Sequence, residues 1–384
     1  MITSPTLVQT LSQLIGTPSV SSTLRALDTS NHAVCALLAN WLEPLGFACE
    51  LLPIDSSPGK YNLIATRGHG DGGLVLSGHT DTVPYDDSGW DSDPFKLRDA
   101  HDRWHGLGTC DMKGFFALCV QLAAELKDVD LKQPLVILAT ADEESGMDGA
   151  KALLKAGRPL GRHALVGEPT GLVPVRMHKG IFMDVLRVRG HAGHSSNPAA
   201  GINAVEGVHQ ALGALLGLRD ELKTRLLREE FPVPHSTLNP GCVHGGDSPN
   251  RIPAACELQF DLRPVPGLNL EDLRQEARAR MDAALGEGPW QWEHDTVFEG
   301  AEPFETAADA AIVKAAERLT DCPAQAVNFC TEGGYLNQMG LQTLVLGPGD
   351  IAQAHQPNEY LSMDQVAPMM DILRGLVKDF CHEQ

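Results

Sequence analysis

His79 and Asp81 stand two residues apart in Ser77-Gly78-His79-Thr80-Asp81-Thr82-Val83-Pro84. Asp142, Glu143 and Glu144 are adjacent, Glu168 precedes Pro169, and His355 closes a loop after Leu344-Val345-Leu346. A further carboxylate, Asp111, lies in Gly106-Leu107-Gly108-Thr109-Cys110-Asp111-Met112-Lys113-Gly114. Two imidazoles with several carboxylates suit Zn²⁺ or Co²⁺ and would be unusual for an oxygen-seeking Ca²⁺ site. Residues two apart on a strand face the same way, so a His79 that binds metal through one ring nitrogen could give its other N–H to Asp81. Adjacent Glu143 and Glu144 should project differently, leaving one to bind metal and the other to address water. Taken singly, each residue has an ordinary reading: a His after a strand is usually a hydrogen-bonded surface group, and Asp in a Gly-rich turn is usually turn chemistry.

What lifts them above that reading is the element in front of each. Leu74-Val75-Leu76, Leu135-Val136-Ile137-Leu138, Ala164-Leu165-Val166 and Leu344-Val345-Leu346 are short apolar runs, separated by helical stretches such as Phe115 to Leu126. They predict buried strands of an α/β fold with a mostly parallel central sheet flanked by helices. His79, Glu143 and Glu144, Glu168 and His355 each follow one of these runs, at the carboxyl edge where open α/β sheets place ligand sites. Thr6 to Gly46 reads as helices. Residues 179–295 have a different texture. They hold strands around Val185–Val188 and Glu257–Leu262, helices over Asn203–Leu226 and Leu270–Leu285, and an irregular Pro/Gly-rich stretch from Phe231 to Pro253. This predicts an inserted α+β domain between catalytic segments 1–178 and 296–384.

A chain of 384 residues suggests two domains, and its 43% hydrophobic and 21% charged content is that of an ordinary globular protein. A net charge of −20 argues against nucleic acid and anionic membrane as partners. No apolar run reaches the ~20 residues of a membrane helix. Met1–Leu14 holds no Lys or Arg, so no secretory signal is expected. Nine scattered cysteines without a CxxC pair read as reduced thiols, which favours the cytoplasm.

Gly78–Pro84, Gly108–Gly114, Asp142-Glu143-Glu144 and Gly167-Glu168-Pro169-Thr170 together resemble the metal motifs of the M20 metallopeptidase family, and the likeness runs in order along essentially the whole chain. The resemblance implies a two-metal amide hydrolase holding two Zn²⁺ or Co²⁺ ions. Asp111 would bridge the ions, His79 and Glu168 would complete one site, and Glu144 and His355 the other. Glu143 would be the general base, with Asp81 behind His79, and Cys110 would be a packed thiol. The insertion resembles the family's lid and dimerisation domain. Arg189–Ser196 matches the motif whose His, here His194, stabilises the tetrahedral oxyanion in the partner subunit of a homodimer. Ser248–Pro253 and Asp261–Pro264 match lid motifs that assign Asn250 and Arg263 to substrate recognition, Arg263 for an α-carboxylate.

Within the family the closer resemblance is to deacylases of small N-acyl amino acids, carried by Leu138–Glu144, Pro174–Gly180, Thr237–Gly241, Val243–Asp247, Asn328–Glu332 and Leu344–Tyr360. Glu332 is the candidate partner for a substrate ammonium. Gly333-Gly334-Tyr335 departs from the Ala-Pro-Phe type of sequence expected there, which bears on side-chain specificity. The other readings are, within the class, acetylcitrulline, another N-acyl amino acid or a succinylated diamine as substrate, and beyond it a dipeptidase or a metal-free binding protein on the same fold. The intact ligand set with Glu143 argues against the latter.

Overall fold

Leu74, Val75 and Leu76, and Leu135 through Leu138, are buried at every position, so their strands require a sheet covered on both faces. The computed structural model describes residues 5–382. The first four residues of the Met1–Leu14 stretch lie outside that range, as do the last two of the chain. The chain forms two compact units. The first comprises Met1–Arg176, Glu305–Gln325 and Thr331–Gln384, and the second Met177–Phe304 with Ala326–Cys330.

In the first unit, six strands lie in the order Ala48–Pro53, Tyr61–Arg67, Leu135–Thr140, Leu74–His79, His163–Val166 and Gln342–Val345. The last four run parallel, and the first two are antiparallel additions at the edge. All four strands expected from the apolar runs are present. Helices Leu7–Ile15, His32–Leu42, Lys113–Glu125, Ala311–Thr320 and Val366–Val377 share one core with them. Lys113–Glu125 is buried along most of its length, which explains its apolar composition on more than one face. Parallel strands put their carboxyl ends at one edge, so His79, Thr140, Val166 and Val345 open onto the same side of the sheet.

The second unit is a four-stranded antiparallel sheet in the order Thr237–Gly245, Ala255–Arg263, Ile181–Arg189 and Gln291–Ala301. Helices Ala204–Arg225 and Leu270–Leu285 pack on one face, where Leu186, Val188, Leu258 and Phe260 meet Leu215, Leu218, Ala277 and Met281. Asn203 and Asn269 cap these helices, accepting from Val205 N and Asp272 N at 3.0 Å each. Two of the four strands differ from expectation. Thr237–Gly245 lies inside the stretch read as irregular, because Pro240 and Gly241 mask a strand that carries a bulge at that point and pairs on one side only. Gln291–Ala301 alternates between exposed and half-buried residues at the opposite edge. Its pairing with Ile181–Arg189 carries the unit past residue 295 to Phe304.

Candidate metal centre

The loop that follows His105 brings Asp111 to the sheet edge, and two glycines let it come close. A Cβ at Gly78 would lie 2.3 Å from Met112 Cε, and one at Gly167 would lie 2.2 Å from Phe115 Cγ. The residues after these glycines are His79 and Glu168. Absence of two side chains thus lets the start of helix Lys113–Glu125 press against two strand ends and deliver Asp111 between their ligand candidates. The Asp111–Met112 peptide is cis.

Asp111 stands between the two histidines. Its Oδ1 is 3.0 Å from His79 Nε2, and its Oδ2 is 3.7 Å from His355 Nε2. Glu168 Oε1 lies 3.7 Å from His79 Nε2, and Glu144 Oε2 lies 2.8 Å from His355 Nε2. Donor atoms of His79, Glu143 and Glu168 fall within 4.8 Å of one another, as do those of His79, Asp111 and Glu144. The structure therefore brings together all six first-unit residues singled out as ligands or base. His79, Asp111 and Glu168 are buried, whereas the His355 side chain is 55% exposed at the rim.

Burial pushes the carboxyl groups of Glu143, Glu144 and Glu168 above the usual range, and neighbouring carboxylates push them further. Burial alone would lower His79, but its bond to Asp111 and the nearby Glu168 hold it well above the ordinary imidazole value. Asp111 is drawn down by the same His79 contact despite burial. Lys113 is close in sequence, yet burial lowers its amine to about 7 and its Nζ donates to the Leu14 and Thr17 carbonyls at 3.3 and 2.8 Å. Four converging carboxylates with two imidazoles are a donor set whose charge excess calls for cations, and whose N/O chemistry fits Zn²⁺ or Co²⁺.

Two of these side chains have partners beyond those expected. His79 Nδ1 lies 3.0 Å from the main-chain carbonyl of Asp81, while the Asp81 carboxylate is 3.7 Å away. That carboxylate instead accepts the main-chain N–H groups of Glu143 and Glu144, at 3.3 and 3.1 Å. Asp81 thus orients His79 through its backbone and shapes the Glu143-Glu144 turn with its side chain. Glu332, expected to hold a substrate ammonium, is 1% exposed. Its Oε1 accepts from Ser77 Oγ at 2.6 Å and its Oε2 meets Thr140 Oγ1, so both oxygens are engaged at the ends of two strands.

Sequence reasoning passed over Lys60 and Glu359. Lys60 pairs with Asp142 at 2.8 Å and Asp28 at 2.7 Å, holding the turn that precedes Glu143. Glu359 accepts from three N–H groups of the Asp111 loop. The only signal was its place in the quoted Leu344–Tyr360 stretch. In the second unit, His194 is exposed on a short strand opposite Arg251, with Nδ1 2.8 Å from Ser196 Oγ. Asn250 is exposed and accepts from Ser248 Oγ at 2.5 Å. Arg263 is half-buried and donates to Asp261 at 3.0 Å.

The model of peptidase family M20/M25/M40 matches residues 75–379. The chain is 44% identical to the acetylornithine deacetylase of Proteus mirabilis, covering 98% of this chain and 97% of that one. It is 45% identical to the acetylornithine deacetylase of Salmonella typhimurium, with 98% of each covered. Among solved structures it is similar to an M20 family metallo-carboxypeptidase from Sulfolobus solfataricus, with TM-score 0.78, 18% identity, and 97% and 98% of the two chains covered. A dinuclear metal binding M20 peptidase from Bacillus subtilis gives TM-score 0.65 and 15% identity, with 96% of each chain covered.

The crowding of carboxylates has a measurable consequence. Folded-state values of Glu143, Glu144 and Glu168 lie above those of the unfolded chain, so their contribution to stability is full below the ordinary Glu value and is lost as pH rises through the raised ones. His79 and His355, also raised, act with the same sign nearer neutrality, while Asp111 opposes only at acid pH. The melting temperature of chelator-treated protein should therefore fall between about pH 5 and pH 8. Added Zn²⁺ or Co²⁺ should restore it most at the upper end. A melting temperature insensitive to both pH and ion would contradict the crowding.

Proposed function

We propose that this chain, which belongs to peptidase family M20/M25/M40, removes the acetyl group from N2-acetyl-L-ornithine to give L-ornithine and acetate. The observation that carries the reading is Asp111, with one oxygen facing His79 and the other facing His355. In this reading Asp111 is shared between two ions, His79 and Glu168 belong to one, and Glu144 and His355 to the other. Two bound divalent ions, Zn²⁺ or Co²⁺, supply an acidified water and a polarised carbonyl.

The remaining steps belong to side chains. Glu143, beside the ligands yet bonded through its own N–H to Asp81, takes the proton of the attacking water. Attack on the acetamide carbon gives a tetrahedral oxyanion, for which His194 is the donor. Collapse breaks the C–N bond, and Glu143 returns the proton to the departing amine. Asn250 and Arg263 recognise the substrate, Arg263 through the α-carboxylate, to which its fork of donors is suited. Replacing Glu143 with Gln keeps shape and removes the proton acceptor. Turnover should fall by about 10²–10⁴-fold with metal content intact. A variant with near-normal kcat would move the base elsewhere.

Acetylornithine is proposed because the curated relatives carry that name over nearly their whole length. N-acetylornithine should exceed N-acetylcitrulline and N-acetylnorvaline in kcat/KM by about tenfold or more, and acetyl should be preferred to succinyl. Because both Glu332 oxygens are engaged internally, Glu332→Gln should leave that ranking unchanged. Collapse of the ranking in this variant would reinstate Glu332 as the ammonium's partner, and acetylcitrulline as the best substrate would replace the name but not the chemistry.

The same reading makes the protein a homodimer in which His194 serves the partner's site. Strand Thr237–Gly245 supports it, being paired on one side only and exposing Cys242 and Val243. Mixed His194→Ala and Glu143→Gln protomers should then regain activity that neither parent has, through one competent site per heterodimer. A verified heterodimer without activity would place His194 in its own subunit's site. All nine cysteines are free, which suits a reducing cytoplasm, and no helix among the described residues is long and apolar enough to cross a membrane.

A further inference from the structure

The loop carrying Asp111 and the loop carrying His355 are joined away from the ligands themselves. Strand Tyr360–Ser362 pairs antiparallel with Arg103–His105, so the two loops leave a common ladder. Just beyond it, Glu359 reaches across with a side chain that is 1% exposed. Its Oε1 accepts from Cys110 N at 2.7 Å and Asp111 N at 2.9 Å, and its Oε2 accepts from Gly108 N at 2.9 Å. Its main-chain carbonyl accepts from Gly106 N at 3.1 Å. One residue therefore collects four N–H groups of the turn that ends on the shared ligand, and it lies four positions after His355.

We propose that Glu359 is a positioning residue that fixes Asp111 between the two metal sites by gripping the backbone of its loop. The geometry assigns this to the carboxylate specifically. Three N–H groups converge on two oxygens, and a carboxylate is acceptor-only at both, so all three are met. Glutamine matches the shape but presents an NH₂ group where one oxygen stood. At least one N–H would then face a donor and remain buried without a partner. Aspartate keeps the charge but is one methylene shorter.

The inference rests on the two-ion reading of the centre, and it predicts an asymmetry. Whichever ion binds first would have two ligands of its own besides Asp111, either His79 with Glu168 or Glu144 with His355. A second ion would then enter close to the first, and the shared carboxylate would offset the repulsion between them. Loosening Asp111 should therefore weaken the second ion more than the first.

The test is titration of chelator-treated full-length protein with Co²⁺, read by metal analysis and visible absorption, with melting temperature measured in parallel. Wild type should take up two ions. Glu359→Gln should bind the second at least about tenfold more weakly than wild type while the first changes little. At saturating ion its kcat should fall while KM stays within about threefold. Glu359→Asp should show the same asymmetry, and it stands in if the Gln variant does not fold. Ile372→Ala, in the core helix Val366–Val377, should lower the melting temperature without separating the two affinities. Wild type that binds fewer than two ions overturns the two-ion reading and this inference with it. Two ions in wild type, with both affinities unchanged in a folded Glu359 variant or equally split in Ile372→Ala, overturn this inference alone.

Discussion

The Asp111 carboxylate, set between His79 and His355, is the contact on which the rest of the first unit depends. Glu144 and Glu168 approach it from the two sides, and Glu143 stands beside them, so four acidic groups share one space, with Asp111 and Glu168 buried and Glu143 and Glu144 half-buried. Such a cluster is costly to build: buried carboxylates repel, and each loses its hydration. Within the cluster only the two imidazoles offset that charge, His79 against Asp111 and His355 against Glu144. The nearby Lys113 is turned away onto two carbonyls, and Lys60 neutralises Asp142 rather than a ligand. An arrangement that keeps its lysines away from a crowd of carboxylates is one organised to receive cations from outside.

Holding that crowd together falls to groups that do not belong to it. Asp81 accepts the N–H groups of Glu143 and Glu144, and its carbonyl faces His79. Glu359 collects the N–H groups of the Asp111 loop, and Glu332 joins Ser77 and Thr140 behind two strand ends. All three are themselves buried acids, and burial raises the carboxyl of each against the pull of the hydrogen bonds it accepts. Their partners are backbone N–H and hydroxyl groups rather than Lys or Arg. Neutral donors of this kind fix geometry without bringing positive charge to the centre, which leaves the demand for cations intact.

The candidate ligands other than Asp111 were legible in the sequence because they follow buried parallel strands, and such strands announce themselves as uninterrupted apolar runs. The supporting acids were not. Glu359 and Glu332 bond to groups far away in the chain, so no spacing marks them, and the spacing that marked Asp81 could not tell that its main-chain carbonyl lies nearer His79 than its carboxylate does. In the second unit, helices Ala204–Arg225 and Leu270–Leu285 and the alternating strand Ala255–Arg263 were visible as patterns. The edge strands were not, since Pro240 and Gly241 interrupt one, and the other buries too little to show an alternation of apolar residues.

That difference in legibility follows the division of labour in the chain. His79, Asp111, Glu143, Glu144, Glu168 and His355 all belong to the first unit. Four of the six follow the ends of packed strands, where a shift of an ångström would disturb the core. A centre built this way is bound to elements that also carry the fold, so its residues and their spacing must change together or not at all. His194 and Asn250 sit instead on exposed short segments of the second unit, with polar neighbours of their own, and Arg263 ends a strand that is only half-covered. Substitution there disturbs little packing. Under the reading proposed above, amide hydrolysis would be tied to the sheet edge, while substrate recognition would fall to surface residues that can vary without endangering the carboxylate cluster.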